Sequence, residues 1–397
     1  MSEVRARRNP RVLVLTHSLS EVDGVGRYAV GTLRELAPLC GGLEVWIGRK
    51  HCGLSRDLPR QGVVVREALP TDHFPFLSVP KLAWLLVHSL PALWRAARRA
   101  DVVHSFSDYP LGFVAVLVAR LAGRPVVVSG HGTYSVTPLD MPVHRRLIGW
   151  MFRRTDRFLM GSRYALATVQ RRAQPHGAEV VWYGVTPSDY EAPAAHGVSP
   201  DVPDPYVLCV GEVKQRKGHA TSLPAFLRAW QQEPRLHYAI VGRFTADDPY
   251  YLELLRLVSE AGARDHVHFL GNVDESRKVA LMRGCRAFML TPRVSDEGGF
   301  EAYGLVYLEA GAAGRPVVGV ADSGAEDAIT DGENGFLRAQ GDVDGLAGAL
   351  VSLVREPALA DRLGASGRAR AERQTWAQAA RRVRAIYGEL LGEGTRA

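Results

Sequence analysis

Two glutamates eight residues apart, Glu301 and Glu309, are the strongest candidates for chemistry in this sequence. Glu301 lies in a glycine-rich segment, and Glu309 lies about one turn into the helix that the pattern predicts over residues 306–313. Because a lone buried charge is costly, a carboxylate among the apolar residues of that helix needs a specific hydrogen-bond partner. The two vicinal hydroxyls of a ribose are one such partner. The alternative is a capping carboxylate followed by a core glutamate with a partner inside the protein.

Two further features are suited to phosphate. The backbone N–H groups of Gly304 and Leu305 precede the same helix, and free amides at a helix N-terminus bind anions. The loop 211–218 follows an apolar strand and carries the adjacent cations Arg216 and Lys217 before Gly218, which is expected to begin the next helix. Arginine offers a planar fork to phosphate oxygens, and lysine offers a point charge. The alternative for this loop is a basic segment that meets only solvent.

A third glycine-rich loop lies near the N-terminus. Gly24, Gly26 and Ala29 formally match the dinucleotide fingerprint G-x-G-x-x-G/A, which requires its first glycine immediately after a strand. Eight residues separate Gly24 from Leu15, the end of the predicted strand, so a nicotinamide site is disfavoured. Two interpretations remain: a loop that presents backbone amides to an anion at a helix N-terminus, or a tight turn capped by Asp23.

These loops follow strands of an alternating α/β pattern. Short apolar strands alternate with helices, which predicts parallel sheets covered on both faces, with ligands beyond the carboxyl ends of the strands. The predicted strands are 12–15, 45–47, 63–65, 102–104, 126–129, 157–160 and 180–182, followed by 206–210, 237–241, 267–270, 287–290 and 316–320. The predicted helices of the first half are 27–36, 81–99, 111–122, 144–154 and 162–172.

The pattern is interrupted once. Prolines crowd residues 186–205, and no apolar periodicity survives there, so this segment is predicted to be an interdomain linker. The predicted fold class is α/β, with two tandem doubly wound Rossmann-like domains that face a cleft, one of residues 1–185 and one of residues 206–372. A C-terminal helix within residues 373–397 is expected to pack on one domain or on both.

The composition is that of an ordinary globular protein, with 23% charged and 46% hydrophobic residues. The 397 residues suffice for two or three domains. A net charge of +7 favours anionic partners such as nucleotides or an acidic membrane face. Nucleic acid is the least favoured partner, because the charge is dispersed and no recognition motif occurs.

The cysteines and the apolar runs exclude other classes. Cys40, Cys52, Cys209 and Cys285 are scattered and form no C-x-x-C pair, which disfavours a disulfide scaffold, a zinc ribbon and a thioredoxin-type site. Reduced thiols in the cytoplasm are the expectation. No signal peptide is expected, because the arginine-rich start meets only a short apolar stretch. The longest apolar runs fall short of the about 20 residues that a membrane-spanning helix needs.

The order and spacing of these motifs resemble the retaining glycosyltransferases of family four, which have the GT-B fold. The resemblance covers most of the chain. It rests on the N-terminal glycine loop, His131 in His-Gly-Thr, Tyr-Gly-Val at 183–185, the Arg-Lys-Gly loop, the Glu301 to Glu309 segment, Gly-Arg-Pro-Val-Val at 314–318, and the stretch 323–335.

The resemblance implies an enzyme whose donor, a UDP- or GDP-sugar, is held mainly by the C-terminal domain. It implies that Lys217, with Arg216, and the amides of Gly304 and Leu305 contact the diphosphate, that Gly24 and Gly26 approach it, and that Glu309 binds the ribose hydroxyls. It also implies two catalytic residues: Glu301, near the transferred sugar, and His131, by the sugar on the acceptor side. Family-four enzymes are thought to retain the anomeric configuration without an obligatory enzyme nucleophile. No metal or other cofactor is expected, since cations and amides stabilise the leaving diphosphate and no Asp-x-Asp stands in a candidate loop.

One position departs from the family pattern. Glu212 stands where the family usually has an arginine. A carboxylate there repels phosphate, so Glu212 is expected to turn away through a salt bridge to Arg216 or Lys214. The alternative is that Glu212 contacts the sugar or an amino group on the acceptor.

The acceptor is expected to be a glycan, a lipid-linked intermediate or a small natural-product precursor. Apolar residues and arginines are combined in segments 81–99 and 144–157, so both segments could lie on an anionic membrane as peripheral contacts, although helices packed on a sheet are the more ordinary interpretation. Two rival functions stay open: a sugar-nucleotide epimerase of the same fold, and a degenerate protein that binds nucleotide sugars without catalysis.

Overall fold

The parallel sheets that carry the candidate loops lie in two units of the chain. The structure is a computed structural model. It describes residues 9–21, 23–48, 58, 62–70, 78–191, 202–295 and 298–393. Met1–Gly184 and Trp376–Ala397 form the first unit, and Val185–Thr375 forms the second.

The first unit is built on a seven-stranded parallel sheet. Its strands are β1 (Arg11–Leu15), β2 (Gly42–Gly48), β3 (Val63–Leu69), β4 (Val102–Ser105), β5 (Val126–Gly130), β6 (Arg157–Met160) and β7 (Ala178–Val180). They run in the order β3-β2-β1-β4-β5-β6-β7. Every residue of β4 and β5 is buried, as is most of β1. This explains their apolar runs, residues 12–15, 102–103 and 126–128, because a strand covered on both faces has no solvent side.

Helices cover this sheet. They are α1 (Gly24–Leu36), α2 (Val79–Arg99), α3 (Leu111–Ala122), α4 (Thr133–Val136), α5 (Pro142–Arg154), α6 (Arg163–Gln170) and, after the second unit, α14 (Trp376–Leu390). The terminal helix α14 packs on α1: a Cβ on Gly31 would lie 2.5 Å from the Trp376 ring. Its Tyr387 hydroxyl lies 2.6 Å from His104 Nδ1 in the core. The C-terminal helix therefore belongs to the first unit.

The second unit is built on a six-stranded parallel sheet. Its strands are β8 (Tyr206–Val210), β9 (His237–Val241), β10 (Val267–Gly271), β11 (Ala287–Met289), β12 (Val317–Val320) and β13 (Gly335–Arg338). Its helices are α7 (His219–Gln232), α8 (Pro249–Glu260), α9 (Glu275–Gly284), α10 (Leu305–Ala312), α11 (Ala325–Ala328), α12 (Val343–Arg355) and α13 (Pro357–Glu372). The strand order is β10-β9-β8-β11-β12-β13. Two doubly wound parallel sheets are thus confirmed.

In both sheets the strand order reverses beside the first strand, between β1 and β4 and between β8 and β11. Ligands of open α/β sheets bind at such reversals, beyond the carboxyl ends of the strands. In the second unit, the loops at this point are 211–218 and 290–304. These are the loops in which the sequence places the cation pair and Glu301.

The predicted linker is described in part. Pro187–Tyr190 forms a 3-10 turn, while residues 192–201 lie outside the described residues, as does Cys52. Cys40, Cys209 and Cys285 are buried free thiols. Across the described ranges, no helix is both long and apolar enough to span a bilayer.

Candidate active site

The loop after β8 is fastened to the loop after β11. Gln215–Lys217 forms a 3-10 turn, and Gly218 follows with a φ of +74° as the residue before α7. A Cβ on Gly218 would lie 1.5 Å from the carbonyl oxygen of Thr291, so only glycine fits between the two loops. The Thr291 hydroxyl donates to the Gly218 carbonyl at 2.7 Å. This packing fixes where Arg216 and Lys217 stand at the strand-order reversal.

Both cations of this loop meet Glu301. Lys217 Nζ lies 2.5 Å from Glu301 Oε2, and Arg216 Nη1 lies 3.2 Å from the same oxygen. The Lys217 and Glu301 side chains are 11% and 13% exposed. Burial raises the pKa of Glu301, but the charges and hydrogen bonds of Lys217 and Arg216 outweigh it, so the pKa lies below its ordinary value. Glu301 is therefore ionised at neutral pH, and three predicted residues come together.

Glu309 lies in a different environment. Gly304 precedes α10, and Glu309 lies buried in that helix. Its Oε2 accepts a hydrogen bond from Lys278 Nζ of α9 at 2.8 Å. Lys278 also pairs with Glu275, on its own helix, at 2.7 Å. Sequence reasoning missed Lys278, because no motif marks it; the only available signal was that lysine is scarce in this chain.

Glu212 forms ion pairs with two cations that do not contact Glu301. Its Oε2 lies 2.8 Å from Lys214 Nζ, which confirms one of the two predicted partners. The alternative partner, Arg216, is paired with Glu301 instead. Arg243, which follows the neighbouring strand β9, takes its place with Nη2 2.7 Å from Glu212 Oε1. Burial raises the pKa of Glu212, but these hydrogen bonds and charges bring it below the ordinary value.

In the first unit, the N-terminal glycine loop is a capped helix start. Asp23 Oδ1 accepts from the Gly26 amide at 2.8 Å, and the Ser18 hydroxyl donates to Asp23 Oδ2 at 2.5 Å. A Cβ on Gly26 would lie 1.9 Å from the carbonyl oxygen of Ser20, so glycine is required by close packing. A Cβ on Gly24 would have no neighbour within 4 Å. The turn capped by Asp23 is what the structure contains, and the Gly26 amide already has an anionic partner.

His131 follows β5 and has both ring nitrogens bonded. Nε2 lies 2.8 Å from the Phe106 carbonyl oxygen, which can only accept, so Nε2 carries the proton. Nδ1 then accepts from the Tyr183 hydroxyl at 2.9 Å. Burial lowers the pKa of His131 to about 4. The ring is therefore uncharged at neutral pH.

Comparisons with known proteins identify the family of this chain. The sequence model of the family described as "Glycosyltransferase Family 4" matches residues 22–189, and that of "Glycosyl transferases group 1" matches residues 197–370. Together they cover every strand of the two sheets except β1. The chain belongs to the family-four glycosyltransferases of the GT-B fold. It is a retaining enzyme that transfers a sugar from a nucleotide-diphosphate sugar to an acceptor hydroxyl.

Three similar proteins illustrate the range of this family. The chain is 29% identical to the GDP-mannose-dependent alpha-(1-6)-phosphatidylinositol monomannoside mannosyltransferase of Mycolicibacterium smegmatis, over 65% of this chain and 68% of that protein. It is 28% identical to the phosphatidyl-myo-inositol mannosyltransferase of Mycobacterium leprae, over 85% of this chain and 86% of that protein. The crystal structure of HepE from Anabaena, in complex with UDP and glucose, has a TM-score of 0.72 at 18% identity and covers 96% of this chain and 100% of its own.

The buried carboxyl group of Asp108 was not predicted from the sequence of this glycosyltransferase. Asp108 follows β4, and its two oxygens accept from the His131 backbone amide at 2.7 and 3.0 Å. Burial raises the pKa of Asp108 to about 7. A Ser-Asp-Tyr segment after a strand was the available signal. Asp108 thereby holds the backbone of His131 at the carboxyl end of the neighbouring strand.

The two basic, apolar segments of the glycosyltransferase differ in what they bury. In α5, Ile148, Met151 and Phe152 are buried, so this helix packs its apolar face inward. In α2, Leu82 and Leu85 are buried, while Val79, Trp84 and Val87 are exposed on the outer face. Within the part of the chain that the structure describes, no three histidine, cysteine, aspartate or glutamate side chains are grouped to hold a metal ion.

Proposed function

We propose that this glycosyltransferase transfers a hexose from a UDP- or GDP-sugar to a lipid-linked acceptor at an anionic membrane face. The observation that carries the proposal is the outer face of α2. Val87 is 72% exposed and Trp84 47% exposed, and together with the exposed Val79 they put an apolar patch on the outer face of a helix that also packs on a core. The named activities of the two mycobacterial relatives, both on phosphatidylinositol lipids, support it.

The charges on α2 fit the same partner. The apolar side chains occupy its first half, and the exposed Arg95, Arg98 and Arg99 occupy its last turns. Lys81 adds a cation near the beginning of the helix. An interfacial helix inserts tryptophan and aliphatic side chains among acyl chains, while its cations meet anionic headgroups. The acceptor would then be reached from the membrane surface, with the enzyme bound peripherally.

For the donor, we assign the diphosphate to Lys217 and Arg216, assisted by the amides of Gly304 and Leu305. These groups are cations or helix-end dipoles where negative charge builds as the sugar leaves. On this assignment the transfer needs no metal. Glu309 would take the ribose hydroxyls, and Glu301 the transferred sugar. The roles of Gly24, Gly26 and His131 stay predictions, and the bonded, uncharged ring of His131 favours orienting a sugar by contact over donating a proton.

The reaction that follows is balanced without an enzyme nucleophile. The bond between the anomeric carbon and the diphosphate oxygen breaks, and the acceptor hydroxyl forms its bond on the same face. The hydroxyl proton passes to an oxygen of the leaving diphosphate. Lys217 and Arg216 stabilise the diphosphate while it carries the extra charge.

Vesicle flotation tests the membrane part. The full chain is mixed with vesicles of phosphatidylglycerol or of phosphatidylcholine, and we expect it to float with the former only. The double variant Trp84→Ser and Val87→Ser should lower the bound fraction about fivefold or more, because it removes the apolar area that the bilayer covers. The matched control is Leu252→Ser on α8, which also removes an exposed apolar side chain.

Transfer of radiolabel from UDP-glucose or GDP-mannose tests the acceptor. We expect product in the organic phase of a lipid extract. The proposal fails if the label enters only water-soluble glycans or small molecules, or if the α2 double variant and the Leu252→Ser control bind vesicles equally.

A further inference from the structure

A lysine that belongs to no motif lies against the glutamate proposed for the ribose. Lys278 and Glu309 are 7% and 6% exposed, and Nζ lies 2.8 Å from Oε2. They come from different helices, α9 and α10, so the contact is made by packing and not by local sequence. The second partner of Lys278, Glu275, is 55% exposed and lies at the solvent side of the same lysine.

Stability alone does not account for such a pair. Removing two charges from water costs free energy that their attraction recovers only in part, and apolar residues of the same volume often serve a core as well or better. The pair has a clearer effect on the carboxyl group. Burial disfavours the charged form of a carboxyl, and a cation in contact with it restores that form. A charged, fixed carboxylate is what two ribose hydroxyls need as acceptor.

We propose that Lys278 is a positioning residue for the donor: it keeps Glu309 ionised and holds its carboxylate in the orientation that accepts the ribose hydroxyls. This rests on the proposed function, since it takes Glu309 as the ribose ligand. In this proposal Lys278 contacts Glu309 and not the donor. Its removal therefore acts through Glu309, and its effect depends on pH.

The test is the pH dependence of nucleotide-sugar binding by Lys278→Met, measured by calorimetry with UDP-glucose and GDP-mannose. The diphosphate of a nucleotide sugar is a diester, without the titration near pH 6 that a terminal phosphate shows. In the variant, Glu309 loses its cation and takes up a proton more readily. We expect affinity to fall at least about tenfold relative to the parent near pH 6, with most of the loss recovered near pH 8.5.

Three controls separate positioning from folding. Lys278→Arg keeps the charge and should restore the parent's pH profile. Glu275→Gln removes the exposed partner and should leave affinity within about twofold. In a Glu309→Gln background, Lys278→Met should have no further pH-dependent effect, because the group that it acts on no longer titrates.

The outcomes are distinct. A variant-to-parent affinity ratio that is the same at every pH overturns the inference, since a merely structural lysine would give that result. If Lys278→Met does not fold, Lys278→Gln is measured in its place; it keeps a hydrogen-bond donor without the charge, and the same pH dependence is expected. If the parent binds neither nucleotide sugar, the proposed donor site fails, and that failure is recognised before any variant is made.

Discussion

Lys217 and Glu301 form an ion pair of 2.5 Å at the strand-order reversal of the second sheet. Arg216 shares the same carboxylate oxygen. The two cations assigned to the diphosphate are thus neutralised only in part, by the one carboxylate assigned to the sugar. On the proposed assignment, an arriving diphosphate would replace the Glu301 carboxylate at these cations, and the released carboxylate would become available to a sugar hydroxyl. That assignment would couple nucleotide binding to the placing of Glu301.

Lys217→Ala should weaken nucleotide-sugar binding by about 1.5–3 kcal/mol, the value of a hydrogen bond to a charged group. The loss arises because the diphosphate loses a cation that would contact it. Calorimetry with UDP-glucose and GDP-mannose measures it. Lys214→Ala, on the same loop but paired with Glu212, is the control and should have a much smaller effect. Equal affinities of parent and Lys217→Ala would remove Lys217 from the donor site.

Glu309→Gln and Glu301→Gln should have different effects. Glu309→Gln is expected to weaken the binding of free UDP or GDP as much as the binding of the nucleotide sugar, because both ligands contain the ribose. Glu301→Gln is expected to lower turnover and to leave affinity for the free nucleotide unchanged or raised, since a competitor for Lys217 and Arg216 is removed. Nucleotide affinities and initial rates of transfer, measured for both variants, test this division of roles. Equal losses of nucleotide affinity would contradict this division of roles.

Glu212→Arg should raise nucleotide-sugar affinity a few-fold at low salt and less at high salt, because it makes the loop that carries Lys217 more positive. The variant loses pairs with Lys214 and Arg243 that are partly exposed, each worth at most about 1 kcal/mol. Glu253→Arg on α8 makes the same change of net charge elsewhere and is the control. Higher affinity with collapsed turnover would instead assign Glu212 to a cationic acceptor.

Much of the fold follows from local sequence. Strands such as Tyr206–Val210 and His237–Val241 are apolar runs between turn residues, and their predicted bounds are those of the structure. Helix α1 begins at Gly24, three residues before the prediction, because the Asp23 cap lies inside the glycine loop. The strand Gly335–Arg338 was missed: it is an edge strand of four residues, three of them only half-buried, and shows no apolar run.

The candidate site was predictable where the composition of a loop is distinctive. Arg216, Lys217 and Glu301 stand in glycine-containing loops, and the sheet order brings the loops together. Three residues were missed, because the role of each depends on a contact with a residue of another element: Lys278, Arg243 and Asp108. Such contacts depend on helix packing and strand register, which the local pattern of a sequence does not specify.

The fourth prediction concerns Asp108 and the pH dependence of stability. Burial raises its pKa from 3.8 to about 7, so between these values the folded chain holds a proton that the unfolded chain has lost. The contribution of Asp108 to stability is therefore present at low pH and is lost as pH rises through about 7. His131 acts in the opposite direction: its pKa is lowered from 6.5 to about 4, so its contribution is lost as pH falls.

Asp108→Asn removes the pH dependence of stability that Asp108 causes and leaves the opposite one that His131 causes. Relative to the parent, the variant should gain stability as pH rises from about 5 to about 7.5, by up to about 3 kcal/mol, since one pKa unit is worth about 1.4 kcal/mol. Urea unfolding at the two pH values measures the difference. The control is Asp140→Asn, at a carboxylate that is 63% exposed; it should change the pH dependence of stability little. If the two variants respond alike to pH, Asp108 does not hold a proton in the folded chain, and its contact with the His131 amide is that of an ordinary carboxylate.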